Sequence, residues 1–282
     1  MNLLDTGRLR RTDRTGLYRS GMMTVATTSS SSGRSLLRYM PLVAAVLAAI
    51  SVLLLALAPF GWRVGWWHFR FALLSLLPWA AYFGVAGLIV AVIALVLGRS
   101  RLEGRDIAIA VIAFVAGGLV AYVPWHYDRM RGTVPPIDDI TTDTENPPAF
   151  MAIIPERTAE GGNPVAYPGS KFANQQQQAY PDVAPLTLAL PPDAAFHRAL
   201  DKARGMGWKI IVADEAAGRI EASDRSRWFG FTDDIVIRIA ASGSGSRIDM
   251  RSSSRLGRSD FGVNAARIRA YLAALGDGAG TG

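Results

Sequence analysis

The stretch FALLSLLPWAAYFGVAGLIVAVIALVL, residues 71–97, contains no charged side chain. A helix rises 1.5 Å per residue, so about 20 apolar residues cross a hydrocarbon core of about 30 Å. This run exceeds that length with room to tilt. Two more uncharged runs flank it, residues 42–58, bracketed by Pro41 and Pro59, and residues 107–123. Both are short and draw on neighbours such as Leu36, Leu37 and Trp125. Buried helices of a soluble bundle rarely lack charge on every face. The reading is therefore three transmembrane helices within residues 36–125.

Details of the runs agree. Trp62, Trp66, Trp67, Phe69, Tyr122 and Trp125 gather at run ends, the level where amphipathic rings meet lipid headgroups. Gly84 and Gly87, and Ala113, Gly117 and Ala121, recur at helical spacing, which suits either a compact three-helix bundle or a dimer face. No ionisable residue lies mid-span, which argues against a proton relay or ion pathway and so against transport. A signal peptide ending at Ala56-Leu57-Ala58 would place Pro59 just after the cut, a poor position, and further spans follow. The first run is read as a retained helix. Residues 1–35, rich in Arg, Ser and Thr, read as a disordered basic N-terminus, with Met22 or Met23 as an alternative start.

Basic residues orient the spans. Ten arginines (Arg8, Arg10, Arg11, Arg14, Arg19, Arg34, Arg38, Arg99, Arg101 and Arg105) fall on one side, against four (Arg63, Arg70, Arg129 and Arg131) on the other. The positive-inside rule then expects a cytoplasmic N-terminus and a periplasmic C-terminal half, in a multi-pass protein of the inner (plasma) membrane. The chain has no cysteine, which excludes disulfides, thiol nucleophiles and thiolate metal sites. Three scattered histidines exclude a His-rich metal site, and no cofactor is expected.

Residues 126–185 hold nine prolines and the run Gln175 to Gln178, which reads as a Pro-rich linker and strap. Asp138, Asp139, Asp143 and Glu145 lie within it. Their spacing does not match a calcium loop, and a solvated acidic strap is the better reading. Residues 186–276 then read β-α-β-β-β-β-α, an α+β domain whose two helices pack on one face of an antiparallel sheet. Residues 277–282 form a flexible Gly-rich tail. The first helix has an apolar stripe of Phe196, Ala199, Leu200 and Ala203. The second, capped by Ser259 or Asp260, has Phe261, Ala265, Ile268, Leu272 and Leu275. One long strand is expected over residues 228–241, bulged at Gly230.

Strand alternation sharpens the reading, because successive side chains point to opposite faces. If Gly243-Ser244 forms a two-residue hairpin loop, Ile239 faces Ile248 and Ile237 faces Met250 on the core side. Arg238 then meets Asp249 on the other side, with Arg251 diagonal to Asp234, and Glu221 joins that polar face. Two readings of the face compete. One is cross-strand ion pairing on a solvated surface, about 0.2–1 kcal/mol per pair. The other is a ligand site built from Glu221, Asp234, Arg238, Asp249, Arg251 and Arg255, whose guanidinium groups would hold an anionic group bidentately. No catalytic residue is assigned. His197 reads as a surface residue, and Asp233 and Asp234 point to opposite faces. No nucleophile elbow, P-loop or zinc-protease motif is present. The basic charge is accounted for by topology, so nucleic-acid binding is not expected.

Several segments together resemble the domain-of-unknown-function family 1499: IDDITTDTENPPAF at 137–150, GW at 207–208, GRIEA at 218–222, WFGFTDDIVIR at 228–238, DMRSSSRLG at 249–257 and SDFGVNAARI at 259–268. The resemblance spans residues 137–275 and implies an extracytoplasmic domain found alone or after membrane helices. It transfers no catalytic role. It also implies that the strap belongs to the domain. The expectation is a membrane protein presenting a non-catalytic envelope interaction or ligand-binding module. Its expected partners are the lipid bilayer and an anionic envelope ligand or another envelope protein. The alternative is a hydrolase or transferase acting on an anionic envelope substrate.

Overall fold

The computed structural model describes residues 31–98 and 100–277. Residues 1–30, which hold most of the segment read as a disordered N-terminus, lie outside the described residues, as does the tail from 278. Three long apolar helices come first. Helix α1 is Ser31–Arg63, with Pro41 and Pro59 inside it rather than bracketing it. A turn leads to the span Phe69–Gly98, which comprises α2 (Phe69–Phe71), a π-helical turn (Ala72–Leu76) and α3 (Leu77–Gly98). Pro78 lacks an N–H for the carbonyl four residues back, and the ladder before it shifts so that Leu77 donates to Ala72 O. Helix α4, Gly104–Arg131, runs through Pro124 and past Trp125, so the segment read as linker begins as helix.

The helices pack through their small residues. A Cβ on Gly84 would lie 2.8 Å from Gly117 O and 2.9 Å from Ser51 Oγ, and one on Gly87 would lie 3.3 Å from Ala44 O. The glycines therefore let α3 touch both neighbours at backbone distance. Ser51 Oγ donates to Ala80 O at 2.7 Å, keeping the hydroxyl satisfied inside the bundle. Of the two readings of these stripes, the structure takes the three-helix bundle. Its interior is alanine and glycine, while Leu53, Leu74, Ile112 and Leu119 point outward and are more than half exposed.

The second unit is an antiparallel sheet with helices. Strand β1 (Asp139–Thr141), α5 (Ile154–Ala159) and α6 (Ser170–Ala179) come from the Pro-rich segment. Then follow β2 (Leu186–Leu188), α7 (Pro192–Gly205), β3 (Lys209–Asp214), β4 (Arg219–Arg225), β5 (Thr232–Ser242), β6 (Gly245–Ser254) and α8 (Val263–Gly276). The sheet order is β1-β6-β5-β4-β3, with β2 also paired to β6. The β5–β6 register matches the alternation reading: Ile239 faces Ile248, Ile237 faces Met250 and Arg238 faces Asp249. Gly218 turns β3 into β4 at φ +60°, and a Cβ there would strike Ile239 O, so both conformation and space require glycine.

One sheet face, with Ile220, Ile235, Ile237, Ile248 and Met250 fully buried, packs on α7 and α8. Helix α8 buries Asn264, Ala265, Ile268, Tyr271 and Leu275. Phe261 leaves the expected stripe: it sits before the helix at φ +53° and packs against Tyr127 of α4, ring centroids 5.3 Å apart. Asp260 acts as the cap, accepting from Gly262 N and Asn264 N at 2.9 and 2.7 Å.

One reading is extended and one fails. Residues 137–185 are part of the folded domain, as the family resemblance implied and proline content alone did not show. Prolines exclude long regular elements but not short ones: α5 carries Pro155 in its first turn, where the missing N–H is harmless. The glutamine run lies in α6, where buried Gln176 pairs with the β1 edge, accepting from Thr141 N at 3.0 Å and donating to Thr141 O at 2.6 Å. The failure is the long strand expected from 228, which begins only at Thr232. Residues 227–229 form a turn, and Phe229 and Phe231 pack with Ala58, Trp62, Leu77 and Ala72 at the bundle end.

Candidate functional site

The strap lies over the second sheet face, the one carrying the candidate residues. Phe150 and Ile153 from the strap pack on Val236, which shares that face with Asp234 and Arg238. The candidate face is therefore an interior. Glu221, Asp234, Asp249, Arg251 and Arg255 are all buried, and Arg238 is half-buried. The reading of a solvated sheet surface is corrected here: alternation places these side chains on one face but does not reveal what covers it.

Each candidate is met by groups within the chain. Asp249 accepts from Arg238 Nη2 at 2.9 Å and Arg247 Nε at 3.0 Å, and from Thr142 Oγ1 at 3.2 Å. The same two arginines reach Asp143 of the strap at 3.0 Å. Burial works against the Asp143 carboxylate, but the Asn146 N–H and the guanidinium groups of Arg247 and Arg238 outweigh it and hold its pKa below the usual range. Arg251 is diagonal to Asp234 in register, but its ion pair is with Asp139, bidentate at 2.9 and 2.7 Å. Its guanidinium also lies 4.7 Å from the centre of the Phe150 ring.

Asp234 sits between two buried guanidinium groups, Arg157 at 2.8 Å and Arg255 at 2.8 Å. Arg255 continues outward to Glu160 at 2.7 Å. Glu221 accepts from the backbone N–H groups of Met151, Ala152 and Ile153, at 3.0 Å for the last two, just before α5 begins. A buried carboxylate thus satisfies the orphan donors of a helix start. Asp233 and Asp234 do point apart, with Asp233 paired to Arg267 of α8 at 2.7 Å. Exposed His197 stands 3.4 Å from Glu215.

Sequence reasoning missed Arg157, Arg247, Asp139, Asp143 and Thr142 as partners of this face, and Arg219, whose Nε lies 3.2 Å from Glu221. The signal was present in part. The strap is acidic where the sheet face has surplus arginines, and such charges complement each other. The acidic residues nevertheless do not converge: Asp139 goes to Arg251, Asp143 to Arg238 and Arg247, and Asp138 to Asn163. Among the described residues no three His, Asp or Glu side chains are grouped to hold a metal.

One cavity opens beside this network, about 580 Å³, lined by Asp138, Asp139, Asn163, Tyr167, Phe172 and Arg258 among others. Burial, with the neighbouring Asp139 charge, pushes the Asp138 carboxyl up to about 6. The Tyr167 hydroxyl is buried, finds no hydrogen-bond partner among the described residues, and is pushed up to about 12 by burial and by Asp139. The cavity therefore offers a carboxyl that titrates near neutrality, a phenol and an exposed guanidinium. It does not join a nucleophile to a base and an oxyanion hole, the arrangement of acyl-transfer hydrolysis. Residues 139–275 match the family model described as Protein of unknown function (DUF1499), and the three apolar helices lie ahead of the match. A comparison with curated proteins finds no match.

Proposed function

We propose that the protein is an integral inner-membrane protein that holds its C-terminal α+β domain on the periplasmic side as a non-catalytic interaction or ligand-binding module. The observation that carries the reading is the closure of the charged face. Glu221, Asp234, Asp249, Arg251 and Arg255 spend their charges on strap and strand partners and stand away from solvent. A transferase or hydrolase acting on an anionic substrate would need those guanidinium groups free. A binding module needs only a stable frame and an accessible crevice, and the cavity at Asp138 and Tyr167 is the crevice for a small ligand.

The membrane reading rests on the inside-out composition of the bundle, small residues within and large apolar ones without. Its orientation rests on the ten-to-four arginine asymmetry. A reporter active only in the periplasm should be active when fused after Gly276 and silent in the loop holding Arg101. The reverse pattern overturns the orientation. Mass spectrometry of small molecules retained by the purified full chain tests the module. Retention that Tyr167→Phe or Asp138→Asn abolishes is expected, and turnover of an anionic envelope substrate would favour an enzyme.

A further inference from the structure

Where the domain meets the bundle, arginines gather without carboxylates. Arg63 ends α1, Arg70 lies in α2, and Arg225 and Arg227 flank the turn between β4 and β5; all four are exposed. None forms an ion pair among the described residues, whereas Arg238, Arg251 and Arg255 on the strap-covered face each have a carboxylate at 2.9 Å or less. Three of them, Arg63, Arg225 and Arg227, also converge. A Cβ on Gly230 would lie 3.1 Å from Arg225 Nε and 3.3 Å from Arg63 Nε, so a membrane helix and a domain turn bring guanidinium groups to the same glycine. Arg225 Nε donates to Gly230 O at 2.9 Å and Arg63 Nη1 to Arg227 O at 3.2 Å, which fixes both side chains and leaves most of their N–H groups unspent. Like charges drawn together by folding attract a counter-charge from outside the chain.

The crevice beside them says what kind of molecule supplies it. A cavity of about 480 Å³ is lined by Ala56, Pro59, Phe60, Arg63, Arg227 and Trp228. Its helix wall is apolar, its rim is cationic and an indole closes the domain side. It runs along the last turns of α1, beside Trp62 and Trp66, aromatic residues of the kind that mark the headgroup level. A phosphodiester matches the guanidinium fork in charge and geometry, and an acyl chain matches the wall of Ala56, Pro59 and Phe60.

We propose that this crevice binds an anionic phospholipid from the leaflet facing the domain, its phosphate held by Arg63 and Arg227 and its chain laid along α1. The inference rests on the membrane placement proposed above. The full chain is reconstituted into nanodiscs of phosphatidylcholine with a minority of phosphatidylglycerol, and retained lipid is counted by native mass spectrometry. Retained phosphatidylglycerol is expected to be enriched over the bulk ratio. In the double variant Arg63→Gln, Arg227→Gln, both charge-assisted contacts are lost and enrichment should fall by about tenfold or more. Arg204→Gln, on the exposed side of α7, should keep it. Inorganic phosphate should not displace the lipid, and displacement would reassign the site to a free anion and overturn the proposal. Entry into the nanodisc with lipid at the bulk ratio, or unchanged enrichment in the double variant, overturns this site alone. A chain that does not enter the nanodisc overturns the membrane reading and the site with it.

Discussion

Asp234 and Asp249 show how far burial changes the weight of an ion pair. On an open sheet, Asp249→Asn would cost under about 1 kcal/mol. Asp249 is 1 % exposed and shared by Arg238 and Arg247, so we expect a cost of about 3 kcal/mol by denaturant unfolding. Asp234→Asn should cost as much or more, because it strands two buried guanidinium groups, Arg157 and Arg255. A loss below about 1 kcal/mol at both sites would mean the strap does not seal this face. Asp138 bears on pH. Its carboxyl ionises near 3.8 when unfolded and at about 6 when folded, so the folded state holds the extra proton between those values. Stability therefore rises as pH falls through 6 towards 3.8, and above 6 the buried charge carries its full cost. Asp260, also raised by burial, acts in the same direction, while the lowered Asp143 matters only below the ordinary carboxylate range. Asp138→Asn should melt higher than the parent above pH 7, with the gain shrinking towards about pH 4. A gain independent of pH would remove this account.

The element that decides the domain is the strap. It supplies an edge strand, a helix whose start is held by Glu221, and the counter-charges for three arginines of the sheet face. It also buries Ile137, Ile140, Phe150 and Ile153, each worth about 1.5–3 kcal/mol when fully removed from water. A polypeptide of residues 137–276 should fold cooperatively, whereas residues 186–276 should not, since Arg251 would lose Asp139, Asp234 would lose Arg157 and Val236 would lose its apolar cover of Phe150 and Ile153. Circular dichroism melting of the two polypeptides checks this, and equal midpoints would reduce the strap to a tether. A milder test is Gln176→Ala, which unpairs both backbone groups of Thr141. It should cost about 1–3 kcal/mol.

At the scale of the molecule, the domain rests on the bundle rather than swinging from it. Helix α4 ends at Arg131, a few residues before buried Ile137. The turn with Phe229 and Phe231 packs on Trp62 and Phe69, and Phe261 meets Tyr127. Replacing Phe229 and Phe231 together by Ser should leave the melting of the domain close to that of the parent, because neither residue belongs to its main core. It should instead speed proteolytic cutting after Arg131. Unchanged cutting would show that the aromatic contact does not hold the two units together.

Local patterns were legible from the sequence, because a few neighbouring residues encode them. The uncharged runs gave three helices, and alternation with a two-residue turn gave the β5–β6 register, down to Arg238 opposite Asp249. The stripe of α7 was equally plain, since helical period and burial coincide there. What covers the polar face was not legible. Asp139 and Arg251 stand 112 positions apart in the chain, and no periodicity links residues so distant. Proline content likewise described how the strap cannot fold, not where it goes. The run from Trp228 to Phe231 has the aromatic content of a strand, yet Phe229 and Phe231 find apolar partners on the three-helix bundle and leave the sheet to reach them. Alternation specifies which side chains share a face; only the path of the chain decides whether that face meets water, lipid or protein.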